Sequence, residues 1–139
     1  ALMIIISRPL VGKVYARYGS KFIIYPGLGL FILGLFGLGL ATTPMAIILT
    51  APLLGLGYGA AQPAFQALAI QSAPIERAGV STATYFLALD ISVGAGSIIL
   101  ALLANALGYQ YLYIIAALVM VIALSLYHVW IKKYTPLEI

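Results

Sequence analysis

The stretch FIIYPGLGLFILGLFGLGLA, residues 22–41, decides the fold class. It carries no charge, and its length at about 1.5 Å per residue matches the roughly 30 Å hydrocarbon core of a bilayer. The run is continuously apolar, without the alternation of a lipid-facing strand, so it reads as a helix. Three further runs of this kind follow, at about 44–70, 79–103 and 109–131. Thr42-Thr43-Pro44 separates the first two, with Thr43 placed to cap a helix that Pro44 opens. A charged turn, Ile75-Glu76-Arg77-Ala78, separates the second from the third, and Asn105-Ala106-Leu107-Gly108 separates the third from the fourth. The expected fold class is therefore an all-α membrane protein of about four transmembrane helices. Ala1 to Ile6 add an apolar stub with no charge before it and no cleavage site after it. That stub reads as the tail of a preceding helix rather than a signal peptide.

Composition agrees. Of the 139 residues, 64% are hydrophobic and 7% charged, and the mean hydropathy is +1.14. A soluble domain of this make-up would expose apolar surface on every face. Cysteine is absent, which excludes disulfides and thiolate metal sites. The net charge of +4 does not point to nucleic acid, because the basic residues never form a sustained patch interleaved with aromatics. Arg8, Lys13, Arg17, Lys21, Arg77, Lys132 and Lys133 fall in the first loop, the turn after the second span, or the tail. The other two turns have none. With four crossings these basic segments share one side, and the positive-inside rule makes it the cytoplasm. The expected topology is a multi-pass protein of the cell membrane with the loops at 7–21 and 73–78 and both chain ends cytoplasmic, anchored by Trp130, Lys132 and Lys133.

The spans differ in polarity. The first holds only glycine, proline, aliphatic and aromatic residues, and the fourth has one mid-span hydroxyl, Ser125; such helices can face lipid on most sides. Gly27, Gly34 and Ala41 recur at seven-residue spacing and make a strip where another helix can approach. The second span carries a Gly55/Gly59 pair plus Thr50, Pro52, Tyr58, Gln62, Pro63 and Gln66, too many polar groups for lipid. Tyr58, Gln62 and Gln66 sit at i, i+4 and i+8 and form one stripe, while Pro63 frees a backbone carbonyl near mid-helix. That stripe suits either the wall of a water-filled cavity or hydrogen bonds to neighbouring helices. The third span contains Ser81, Thr82, Thr84, Asp90, Ser92 and Ser97, with Ala88, Ser92 and Gly96 at four-residue spacing, and is expected to be buried in protein.

Asp90 is the one ionisable residue close to the bilayer middle. A carboxylate there costs a few kcal/mol, relieved by a cation, a hydrogen-bond network or protonation. Two readings stand: a proton-coupling or cation-attracting group, or a structural acid satisfied by hydroxyls and amides. His128, one turn from the end of the fourth span, reads as an interfacial residue, and Glu76 as a helix-dipole partner. No metalloprotease, nucleophile-elbow or phosphate-loop pattern occurs, and three acids with one histidine leave little for catalysis, a metal or a cofactor. The expectation is a protein that moves a solute, not an enzyme.

The loop before the first span resembles the signature of the major facilitator superfamily, G-x-L-x-D-R-x-G-R-K. Gly12, Val14, Arg17, Gly19 and Lys21 match, with Arg8 just upstream; Ala16 stands in place of the Asp and Ser20 in place of an Arg. Gly55-Leu56-Gly57-Tyr58-Gly59, Pro63, Pro74, Arg77 before Gly79, and Asp90 followed by Gly94 and Gly96 look like the tenth and eleventh helices of its drug-exporter branches. The resemblance covers essentially the whole chain and implies the C-terminal part of a transporter's second half, within a bundle of about twelve helices. It further implies that the second span lines the central cavity, the third packs between the halves, and the first and fourth are outer supports.

The expected function is secondary active export of small amphipathic solutes by alternating access, coupled to protons. Its partners are a small-molecule substrate, the lipid bilayer and the transporter's preceding helices. A small four-helix homodimeric multidrug pump and a non-transporting scaffold subunit are the alternatives.

Overall fold

The computed structural model describes residues 13, 17–19 and 21–134, with side chains placed through residue 130. The apolar stub, Arg8 and Gly12 of the loop motif, and the tail beyond Tyr134 lie outside the described residues. Four helices make up the fold: α1 (Lys21–Leu40), α2 (Pro44–Gln71), α3 (Ala78–Leu107) and α4 (Tyr109–Tyr134), with a 3₁₀ turn at Ile75–Arg77 before α3. All are long and apolar enough to cross a membrane. No strand occurs among the described residues.

Local chemistry explains most of the boundaries. Thr43 is the N-cap of α2, its hydroxyl accepting from the N–H of Ala46 at 3.3 Å, and Pro44 occupies the first turn, where its missing N–H costs nothing. The expected Asn105–Gly108 turn is shorter than read. Helix α3 continues through Asn105 and Ala106 to Leu107, and Gly108 alone turns the chain, at φ +86°, which a side chain would resist. Helix α2 runs unbroken through Pro52 and Pro63. Each proline still withholds an N–H, so the carbonyls of Ile48 and Gly59 lose their usual intrahelical donors.

Successive helices are antiparallel. Gly27 of α1 lies against Gly57, Ala60 and Ala61 of α2; Gly34 lies against Leu54 and Gly37 against Thr50. At the far end of α1, Gly39 abuts Gln110 and Ile114 of α4, while at its start Tyr25 packs against Tyr127 and His128 of α4. The start of α1, the Ile75–Arg77 turn and the end of α4 therefore share one end of the bundle, the end that holds Lys21, Arg77 and the Lys132-Lys133 pair in the chain. The core at that end comprises Ile23, Ile24, Leu28, Ala61, Ala64 and Tyr127.

Burial among these four helices alone is uneven, while the expected partition concerned the complete bundle. Helix α1, read as an outer support, is the most enclosed element, with Ile23, Ile24, Gly27, Leu28, Ile32, Gly34, Leu35 and Gly39 buried. Helix α3, expected to be enclosed, has no buried residue here. The reason is steric. In lipid, hydrocarbon contact drives no association, so helices pack where small residues let backbones meet, and α1 has those residues along its length. The Gly27 and Gly34 part of the expected strip does this work; Ala41 lies past the end of α1.

The tightest described approach to backbone is at Gly57, where an added Cβ would sit 2.5 Å from the N of Phe31 and 2.7 Å from the O of Gly27. These obstacles are backbone atoms, which cannot swing aside. Gly57→Ala is therefore expected to destabilise the protein by about 1–3 kcal/mol through overpacking, outweighing the roughly 1 kcal/mol gain in helix propensity. Gly29→Ala, with nothing within 4 Å of its added methyl, keeps that gain. Thermal unfolding of the two purified variants beside wild type distinguishes these signs.

Candidate functional site

The polar side chains divide into those satisfied on their own helix and those that reach another. On α3, the hydroxyls of Thr82, Thr84, Ser92 and Ser97 donate to the carbonyls of Ala78, Val80, Ala88 and Gly94 at 2.7–2.9 Å. Ser125 does the same toward Val121, and Thr50 toward Ile47. Such back-bonding removes the cost of a hydroxyl in lipid without any neighbour. Much of the polarity that argued for burial of α3 is thus neutralised locally.

Two hydroxyls of α3 cross to another helix. Ser81 donates to the carbonyl of Ala69 at 2.6 Å, and Tyr85 to the carbonyl of Gln62 at 3.1 Å. Both acceptors are backbone groups of α2, and Gln62 is the residue immediately before Pro63. These bonds attach α3 to the polar stretch of α2.

Tyr58, Gln62 and Gln66 do share one side of α2. Tyr58 remains 43% exposed and lies 6.1 Å, ring to ring, from Phe31 of α1; Gln62 and Gln66 are half-buried. The hydrogen bond to the Gln62 carbonyl brings α3 beside this stripe. Asp90 is not brought to it. It follows Ser81 by nine residues and Tyr85 by five, which at about 100° per residue places it roughly 140–180° round α3 from the two hydroxyls that face α2. Asp90 is exposed, as are Gly79, Ala83, Gly94, Ser97 and Ala101, all within about 40° of it on the helix. Gly79 and Gly94 have nothing within 4 Å of an added Cβ. One face of α3 thus carries a single acid among mostly small residues, with Phe86 one turn before it, and its glycines Gly79 and Gly94 have no neighbour among the described residues.

A cleft of about 650 Å³ opens where α2, α3 and α4 meet toward the charged end of the bundle, walled by Phe65, Leu68, Tyr85, Leu89, Tyr127 and Trp130. The reading of polar stripes passed over these residues. Aromatic side chains on three separate spans were the available signal, but their convergence depends on helix register. None of Tyr58, Gln62 and Gln66 lines the cleft.

At the charged end, His128 is more than an interfacial residue: its Nδ1 lies 2.7 Å from the hydroxyl of Tyr25, tying the end of α4 to the start of α1. Of the loop motif, Arg17, Gly19 and Lys21 are described. Arg17 lies over the ring of Tyr18 at 5.7 Å, and Gly19 has φ +81° just before α1 begins.

The chain matches the Major Facilitator Superfamily over residues 1–138. It is 33% identical over 109 residues to YhhS of Escherichia coli, an uncharacterized MFS-type transporter, covering 78% of this chain and 26% of that protein. YhhS of Shigella flexneri is 32% identical over 107 residues, covering 77% of this chain and 26% of its own length. For YhhS of Salmonella typhimurium the identity is 30% over 108 residues, with 78% and 26% covered. The chain spans about a quarter of the length of these curated relatives. No solved structure matches it. With four membrane-length helices matched to the family from the first residue to the last but one, the chain belongs to the Major Facilitator Superfamily of transporters.

Proposed function

We propose that this chain supplies the last four helices of a secondary active transporter that exports small amphipathic solutes by alternating access, with Asp90 coupling transport to protons. The observation that carries the reading is the placement of Asp90: exposed, on a face of mostly small residues that also holds Phe86, and on the side of α3 away from α2. An acid at the level of the hydrocarbon is expensive unless it has a partner, water or a proton. Small residues around it let another backbone approach closely. Both features suit a helix elsewhere in the same protein, and the chain's share of its relatives' length is consistent with such a helix. On this reading α3 sits at the seam between two moving bodies, where a proton on Asp90 changes the cost of opening.

Tyr58, Gln62 and Gln66 supply the solute-facing groups. An exposed phenol and two half-buried amides mix aromatic surface with hydrogen-bonding capacity, which suits an amphipathic solute without selecting its charge. Drug-exporter character rests on the sequence resemblance in α2 and α3. The shared end of Lys21, Arg77, Lys132 and Lys133 supports, by the positive-inside rule, a cytoplasmic side for that end and a multi-pass placement in a cell membrane.

Reconstituted full-length protein carrying Asp90→Asn is expected to bind solute but to lose solute-driven proton flux, measured with a pH-sensitive dye inside proteoliposomes. Wild-type flux in that variant removes Asp90 from the coupling. For the topology, a cysteine at Arg77 in the full-length protein, stripped of any native cysteines, is expected to react with a membrane-impermeant maleimide only after the cytoplasmic face is opened. Labelling in intact cells contradicts the assignment.

A further inference from the structure

The start of α1 and the end of α4 form a second constellation that solute transport does not use. Lys21 and Tyr25, one turn apart on α1, line a cavity of about 350 Å³ together with Phe22 and Pro26. The Tyr25 hydroxyl is held at 2.7 Å from Nδ1 of His128 on α4, and the two rings meet edge-on at 6.0 Å. Tyr25 also packs edge-on against Tyr127, so two helices hold its phenol in place.

The chemistry of this cavity is cationic and amphipathic. Lys21 is exposed, no acidic residue occupies the first turn of α1, and Arg17 lies nearby in the chain, its guanidinium over Tyr18. Phe22 is 69% exposed and lies 5.9 Å from the Tyr18 ring, so aromatic surface adjoins the ammonium group. Lysine and tyrosine at the end of a membrane span lie at the level of the lipid headgroups, with the apolar surface below them at the level of the acyl chains. When Nδ1 of His128 carries a proton it donates to the phenolic oxygen, and the Tyr25 O–H is then available to a further acceptor.

We propose that this cavity binds the phosphate of an anionic glycerophospholipid, with Lys21 supplying the charge, the Tyr25 hydroxyl a hydrogen bond, and His128 positioning the phenol. Phe22 and Pro26 receive the glycerol end of the acyl chains. The lipid lies along the start of α1 and, through Tyr25 and its bond to His128, stabilises the contact with α4. Its phosphodiester is also the one feature a free phosphate ion shares, and the apolar wall separates the two.

The test is a lipid titration of the purified full-length protein in detergent, read as the rise in melting temperature and its half-saturating concentration. Phosphatidylglycerol, phosphatidylcholine and inorganic phosphate are the three probes. Phosphatidylglycerol is expected to stabilise, and the other two to have no effect at the same concentration. Lys21→Gln is expected to weaken the half-saturating concentration about fivefold, the value of one lysine at an anionic lipid surface. Tyr25→Phe, which keeps the ring packing, weakens it as well, whereas Lys13→Gln removes an equal charge elsewhere in the same basic segment and changes nothing. Wild-type affinity in Lys21→Gln or Tyr25→Phe overturns the proposal, as does an equal loss in Lys13→Gln, which signals diffuse attraction. Stabilisation by inorganic phosphate alone overturns the lipid assignment.

Discussion

Close approach of backbones along α1 is the constraint from which the rest of this structure follows. A bilayer offers apolar side chains no reward for meeting one another, so the order of contacts is set by where two helices can come near enough for dispersion to add up. Gly27, Gly34 and Gly37 admit α2, and Gly39 admits α4. Gly57 returns the contact from α2 onto the backbone of α1 itself. With α1 seated between α2 and α4, the aromatic cluster of Tyr25, Phe65 and Tyr127 closes the charged end.

That arrangement leaves α3 attached by less. Ser81 and Tyr85 hydrogen-bond to backbone carbonyls of α2, α4 flanks part of α3, and the face that carries Asp90 has no neighbour at Gly79 or Gly94 among the described residues. Prolines in α2 bear on this attachment. The continuous helix passes through Pro52 and Pro63 with two carbonyls deprived of their usual donors, and Tyr85 bonds at the residue just before Pro63. The polar wall of α2 and the attachment of α3 therefore meet at one place, near Gln62.

Helix number and order, and most ends, were legible in the sequence because they depend on local chemistry: uninterrupted apolar runs and Thr43-Pro44 at one start; the end of α3 was read four residues short, at 103 instead of Leu107. The shared placement of the basic segments followed from counting crossings. Which helix is most enclosed among these four was not legible. Apolar composition made α1 look like a lipid-facing support, yet in a membrane hydrophobicity does not distinguish lipid contact from helix contact. Conversely, the hydroxyls of α3 suggested burial, but most of them bond to their own backbone, a choice that composition cannot reveal. The Gly55/Gly59 spacing pointed to the right helix while the tight contact falls on Gly57 between them, since the register belongs to the pair of helices and not to either one. At the candidate site, the stripe of Tyr58, Gln62 and Gln66 was visible as a period, whereas the separation of Asp90 from it needed the rotation of α3.

The account turns on α2 presenting its polar stripe to water and solute while α1 and α4 present theirs to helices and lipid. Single cysteines at Tyr58, Gln62 and Gln66, and at Leu33 and Leu126 as exposed apolar positions on α1 and α4, test this directly in the full-length protein stripped of any native cysteines. The account predicts that a small water-soluble thiol reagent labels the three stripe positions and spares Leu33→Cys and Leu126→Cys, and that transported solute slows labelling of the stripe. Equal labelling on all three helices, or a stripe that solute does not protect, contradicts it.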